Sequence, residues 1–281
     1  MNGRLPEGQR RAAARRLVLA LCAAIVLAAS AASAQRGGRF NSYRLATPDS
    51  FDGAFNFCRV AFRQASNGDG GDWQVDYPDA DRNLSVRLAE LTKAPVSMNS
   101  RHEPNHLIVR LTDPEMFRCP FIMMTEVGSA FFDEDEARAL REYLQKGGFL
   151  WADDFWGEYA WNVWESQIRK VLPSGAYPLV KLPMDHTMFH QVYQVPKVPQ
   201  IPSINFWRGS GGDTSERGGD SRTATARAIL DEHQRVMVLM THNTDVGDSF
   251  EHEMRDREYF ITFSVDGYAL GINAIVYAMT H

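Results

Sequence analysis

Two adjacent carboxylates, Asp153-Asp154, and the polar run Thr241-His242-Asn243-Thr244-Asp245 are the residues of this chain whose types and spacing could do chemistry. Each follows an apolar run, Phe149–Ala152 and Val236–Met240, with the length and composition of a buried strand. Thr125 and Glu126 follow a third such run, Phe121–Met124, and Trp73, Asp76, Tyr77 and Asp79 lie beyond a first, Phe55–Phe62. Paired carboxylates beside an imidazole can carry acid–base chemistry, because proximity splits their proton affinities. Asp154 and His242 are the expected catalytic pair. Asp153, Asn243 and Asp245 would complete the floor of a ligand site, with Asp79 and Glu126 beside them. Trp73, Asp76, Trp207 and Arg208 would form its walls, aromatic faces that suit a sugar-like ring. Each residue also has a purely structural use. Asp76, Asp79, Asp153 and Asp154 could cap helices, and His242 could donate to a nearby carbonyl.

Sharper motifs are incomplete. His186 and His190 have the spacing of a helical metal pair, but Thr187 stands where a zinc protease has glutamate, and prolines flank the segment. Glycine patterns for dinucleotides or phosphates are absent, as is a Gly-x-Ser-x-Gly elbow. No resident metal or cofactor is therefore expected, with Ca²⁺ or Mg²⁺ on the rim carboxylates as an alternative. Cys58 sits in the middle of its strand and Cys119 precedes another, so neither is placed as a nucleophile. The preferred reading is two buried thiols; in an oxidising compartment they could pair.

The elements that would position these residues alternate. Strands are expected at Phe55–Phe62, His106–Leu111, Phe121–Met124, Phe149–Ala152 and Val236–Met240. Helices are expected at about 79–93, 133–145, 158–172 and 267–279, the second opening on acids and stopping at Gly147-Gly148. Strands apolar on both faces and separated by helices imply a parallel sheet covered on both sides. Ala228–Leu230 and Val236–Met240, flanking a polar turn, imply an antiparallel hairpin near the C-terminus. Residues 202–222 read as a long glycine-rich loop that Phe206, Trp207 and Arg208 would help to order. In open parallel sheets ligands bind beyond the carboxyl ends of strands, where the polar residues collect.

Residues 1–34 read as an export signal: Arg10, Arg11, Arg15 and Arg16, an apolar stretch Leu17–Ala29, then Ala32-Ser33-Ala34 before Gln35. Arg15-Arg16-Leu17-Val18-Leu19 resembles a twin-arginine signal with valine in place of phenylalanine. Cleavage would remove five arginines and one glutamate from 30 basic and 35 acidic side chains, leaving 25 and 34, a net charge of −9. That balance excludes nucleic acid and anionic lipid as expected partners. No membrane span is expected after signal removal, and the destination is the periplasm or the exterior. Residues 35–50 read as a flexible lead-in, and 51–281 as one α/β domain.

Trp73…Asp76-Tyr77-Pro78-Asp79-Ala80-Asp81, Leu111-Thr112-Asp113-Pro114, and Gly147-Gly148-Phe149-Leu150-Trp151-Ala152-Asp153-Asp154-Phe155-Trp156-Gly157 resemble the family catalogued as domain of unknown function 4159. So do Ile204-Asn205-Phe206-Trp207-Arg208 and Thr214-Ser215-Glu216-Arg217-Gly218. The resemblance spans residues 54–281 and implies a flavodoxin-like, class I glutamine-amidotransferase-like fold. A more distant resemblance, to the ThuA-like group of that fold, is carried by Gly147-Gly148, Asp185-His186 with Phe189, and Arg235–His242. It implies a link to sugar metabolism. Thr187 and Thr241 depart from that group's proline and glycine, Asp154 stands where it tends to have histidine, and the amidotransferase cysteine is missing. The expected function is thus an exported protein binding a small polar, carbohydrate-like ligand, with hydrolase-type chemistry within its reach. The alternative is a non-catalytic envelope module that meets a protein partner through residues 202–222.

Overall fold

Seven of the nine strands join in one sheet in the computed structural model, which describes residues 43–281. The strands are β1 (Phe57–Ala61), β2 (Arg63–Gln64), β3 (His106–Arg110), β4 (Phe121–Met124), β5 (Ala130–Phe131), β6 (Phe149–Ala152), β7 (Leu179–Lys181), β8 (Thr225–Leu230) and β9 (Val236–His242). The sheet runs β3-β1-β4-β6-β9-β8-β7, and β2 and β5 form a separate two-residue ladder. The first five strands of the sheet are parallel, and the expected β8–β9 hairpin turns the far edge antiparallel. β4 and β6 are buried along their whole length, which is why they read as uninterrupted apolar runs.

Among the described residues six helices of six residues or more flank the sheet: α1 (Asp79–Leu91), α2 (Glu134–Gln145), α3 (Gly157–Val171), α4 (Ile204–Ser210), α5 (Val246–Glu251) and α6 (Val265–Thr280). Alternation along each strand divides the core. Val60, Ile122, Met124, Ala152 and Met240 pack with Leu140 and Leu144 of α2 and Trp164 and Ile168 of α3. Phe57, Phe121, Met123, Trp151 and Leu239 pack with Leu84 and Leu88 of α1 and Leu270 and Ala274 of α6. Asp133 caps α2 reciprocally with Glu136, as its acidic entry implies. Arg257–Thr280 is long and apolar enough to cross a membrane, yet most of it is buried inside the fold.

Three expectations change. Residues 202–222 are not one long loop, because they contain α4, which Ser203 caps by accepting from the Phe206 N–H, and a short 3₁₀ turn at Gly218–Ser221. Cys58 and Cys119 are joined in a disulfide, not left as thiols. β4 lies directly beside β1, and this brings the two Cα atoms within 6.2 Å, an ordinary bridging distance. Within the lead-in, Leu45 bridges to Ile108, and the Ala46 N–H donates to the Ile108 carbonyl at 2.9 Å, so this stretch lies along β3. The expected signal, residues 1–34, lies outside the described residues.

Candidate functional site

The carboxyl rim of the sheet is where the backbone departs from ordinary conformation. Among the described residues six non-glycine positions have positive φ, and four are here: Asp76 (64°), Glu126 (55°), Asp154 (54°) and Asn243 (62°). Glu126 and Asp154 each stand two residues beyond their strand, and Asn243 directly follows β9. Such conformations cost on the order of 1 kcal/mol or more each and persist where tight turns must aim a side chain.

Asp153 continues the β6 alternation onto the α1 face. It is hydrogen-bonded to the Thr241 hydroxyl, which also accepts from the Trp151 indole at 2.7 Å. Its other oxygen accepts the Val246 and Gly247 N–H groups at 2.9 and 3.1 Å, holding the start of α5. Burial pushes this carboxyl up to about 7. The Asp154 carboxyl accepts from the Trp156 indole at 3.0 Å and lies well above the usual carboxylate range, through burial and then the charges of Glu126, Asp76 and Asp153. Glu126 is cradled by the loop after β2. A Cβ on Gly70 would fall 2.1 Å from one of its carboxylate oxygens and one on Gly71 3.2 Å from the other, so only glycines fit there. Burial, reinforced by Glu216, raises Glu126 to about 7 against a hydrogen bond from the Gly71 backbone.

Asp76 enters from the other side of the rim. Arg59, fully buried on β1, is paired with Asp81 of α1 through Nε at 3.0 and 3.1 Å. Its Nη1 donates to the carbonyls of Trp73 and Val75 at 3.3 and 3.0 Å, which fixes the turn carrying Asp76. Asp76 is only 6% exposed, and its Oδ2 is buried with no hydrogen-bond partner. Burial and the Asp248 charge hold it well above the usual range. Asp245 caps α5 by accepting the Asp248 N–H at 2.8 Å and is raised by burial, then by Asp154 and Asp76. Asp248 accepts the Ile204 N–H at 2.9 Å, and burial lifts it to about 6 against the pull of His252.

The expected Asp154–His242 pair is not what the structure brings together. His242 lies on the face of Met240 and Ala152, packed against the stacked rings of Phe155 and Trp161 at 4.8 and 5.3 Å. Its Nε2 donates to the Gly157 carbonyl at 3.0 Å. Burial lowers it to about 4, and the charges acting on it are Arg227 and Asp220 rather than Asp154. Asn243 is spent similarly, accepting from the Gly157 N–H at 2.8 Å and donating to the Thr223 carbonyl at 3.1 Å. Trp207 packs against Tyr259 and Phe263, and Arg208 pairs with Asp256 and Glu258. Asp79 is half exposed at the start of α1, 3.7 Å from Arg82. Trp73 packs edge-on against Tyr77. His186 and His190 are taken up locally, by the Met188 N–H and the Met184 carbonyl.

The rim therefore gathers Asp76, Glu126, Asp153, Asp154 and Asp245 from the expected set and adds Asp248. The i, i+3 spacing of Asp245, Asp248 and Glu251 along one helix face was the available signal for that addition. Two groups have donor atoms close enough to share a cation: Asp76 with Asp245 and Asp248, and Asp248 with Glu251 and His252. A cavity of about 290 Å³ lined by Gln200, Asp213, Thr214, Ser215, Gly218 and Arg222 borders this rim, since Gln200 donates to the Asn243 carbonyl at 3.2 Å. A larger cavity, about 700 Å³, lies at the opposite end, beneath the hairpin turn of Asp231 and Arg235. It is remote from the acids.

A family model, "Domain of unknown function (DUF4159)", matches residues 57–279. The chain belongs to the DUF4159 family. The match runs from β1 to the last turn of α6, so all the rim carboxylates fall within the family domain. No curated protein matches the chain.

Proposed function

We propose that this DUF4159 protein is exported and binds a small hydroxyl-bearing, carbohydrate-like ligand at the acidic rim, with Glu126 and Asp154 as its acid–base pair. The observation that carries this reading is their equivalence. The two residues stand at matching positions beyond adjacent parallel strands, both in left-handed backbone, with each carboxylate raised and Glu126 foremost among the charges on Asp154. A carboxyl titrating near neutrality can both give and take a proton, which suits hydrolase-type chemistry on a glycosidic or ester oxygen. Raised carboxyls in their acid form also donate to hydroxyl groups, as a polyol ligand requires.

The parallel strands, numbered along the chain, run 2-1-3-4-5, the order of flavodoxin-like sheets, whose ligands sit on this rim. Export is supported by the Cys58–Cys119 bridge, which belongs to oxidising compartments, together with the Ala32-Ser33-Ala34 cleavage pattern. The test is a thermal-shift panel of sugars and sugar phosphates on the wild type, Glu126→Gln and Asp154→Asn. At least one compound should raise the wild-type melting temperature, and both folded variants should lose that shift. A panel with no response, or a response that survives in both variants, would refute the assignment.

A further inference from the structure

Asp76, Asp245 and Asp248 form a part of the rim where three buried carboxylates meet. Asp76 comes from the turn held by Arg59, and the other two from the cap and first turn of α5. A carboxylate oxygen from each lies within 4.8 Å of the others, and all three residues are buried. Their environment offers little positive charge. Arg59 is committed to Asp81, and His252 lies 3.4 Å from Asp248 but closer, at 2.9 Å, to Glu251. The Arg59 charge still reaches Asp76, but Asp153, Asp154, Glu216 and Glu251, which also face the triad, are acidic.

A second observation points into the same space. Asp76 Oδ2 is buried without any partner, in a residue more than nine-tenths buried. That oxygen faces Gly247, between the other two acids in sequence. A Cβ built on Gly247 would fall 2.3 Å from Asp76 Oδ2 and 3.4 Å from Asp245 Oδ1, so both oxygens converge on the start of α5. An isolated buried carboxylate oxygen costs several kcal/mol unless something positive meets it.

We propose that Asp76, Asp245 and Asp248 bind a hard divalent cation of the size of Ca²⁺. Three carboxylates without sulfur or imidazole favour an oxygen-seeking ion. Oxygens that lie within 4.8 Å of one another can share one ion through bonds of about 2.4 Å, the length of a Ca²⁺–oxygen bond. Mg²⁺ sheds its water reluctantly and is usually held by one or two carboxylates, so three buried ones favour Ca²⁺. The cation would also brace the turn that leads into α1 against the start of α5.

This inference does not rest on the ligand reading, and Glu126→Gln separates them: that variant should lose the sugar response while keeping Ca²⁺. The experiment strips the purified full chain with EDTA, desalts it and titrates CaCl₂ by calorimetry, with melting curves in parallel. Saturable binding at one site and a higher melting temperature are expected, weakened about tenfold or more by Asp76→Asn and by Asp245→Asn. In EDTA, Asp76→Asn should melt no lower than the wild type, which shows that the variant folds. Should it not fold, Gly247→Ala keeps all three carboxylates but crowds Oδ2, and should weaken Ca²⁺ in the same way. Absence of saturable Ca²⁺ binding to the wild type, tighter binding of Mg²⁺ than of Ca²⁺, or unchanged Ca²⁺ affinity in the folded variants would overturn the proposal.

Discussion

Replacing Glu126 by glutamine should stabilise the protein at neutral and alkaline pH and flatten the dependence of its stability on pH. The carboxyl is packed against Gly70 and Gly71 and keeps a hydrogen bond from the Gly71 backbone, which a glutamine oxygen can still accept. Burial moves it from an ordinary 4.5 to about 7. A displacement of that size disfavours the ionised form by roughly 3 kcal/mol, and because Glu126 is not wholly shielded from water we expect about 2 kcal/mol in practice. The folded value is the higher one, so the unfolded chain gives up its proton first. The stabilisation is fully present below about 4.5 and is lost as pH rises toward about 7. Glutamine has no proton to lose. Urea unfolding in EDTA at pH 5 and pH 8 should show the wild type less stable at pH 8. Glu126→Gln should exceed it by under about 1 kcal/mol at pH 5 and by about 2 kcal/mol at pH 8. Some slope will remain, because Asp153 and Asp248 are raised in the same direction, to about 7 and about 6. If the two proteins lose the same stability between pH 5 and pH 8, Glu126 is not the strained acid described here.

Two further outcomes follow from the packing. Replacing Cys58 and Cys119 together by alanine opens a loop with a sequence separation of 61, and should cost about 4 kcal/mol on loop-entropy grounds. Equal urea midpoints before and after the change would refute that. Arg59→Met leaves Asp81 buried without its partner and releases the Trp73 and Val75 carbonyls, so roughly 3–5 kcal/mol should be lost in urea unfolding. A loss under about 1 kcal/mol would mean that the pair does not hold the Asp76 turn.

The sheet was legible because its strands are uninterrupted apolar runs and its helices carry their own stop signals. β4 and β6 span the residues expected from hydropathy alone, and α2 ends before Gly147, whose φ of 103° suits glycine. The short elements were not legible. α4 is seven residues long and is held by Trp207 packing against Tyr259 and Phe263, residues about fifty positions away. Phe206, Trp207 and Arg208 pointed to order within 202–222, but nothing in that segment names the distant partners of Trp207. The disulfide was hidden for the same reason, since it depends on β4 lying beside β1 rather than on anything near either cysteine.

The site was legible as a rim and not as a constellation, and the point where strand parity breaks explains the difference. The register pairs Ala152 with Met240 and Trp151 with Leu239. Counting on by twos puts Asp153 and Thr241 on the α1 face, where they are hydrogen-bonded, and His242 on the α3 face, where it meets Phe155 and Trp161. The same count would set Asp154 beside His242 on the α3 face. Asp154 escapes the count because its left-handed backbone turns the chain, and its carboxyl meets the charges of Glu126, Asp76 and Asp153 instead. Glu126 makes the same turn one strand away. The chemistry available to this rim is accordingly that of carboxylates meeting carboxylates. Such a group lowers its free energy either by keeping protons near neutral pH or by taking up a cation. The glutamine substitution reads the first of these routes, and the calcium titration reads the second.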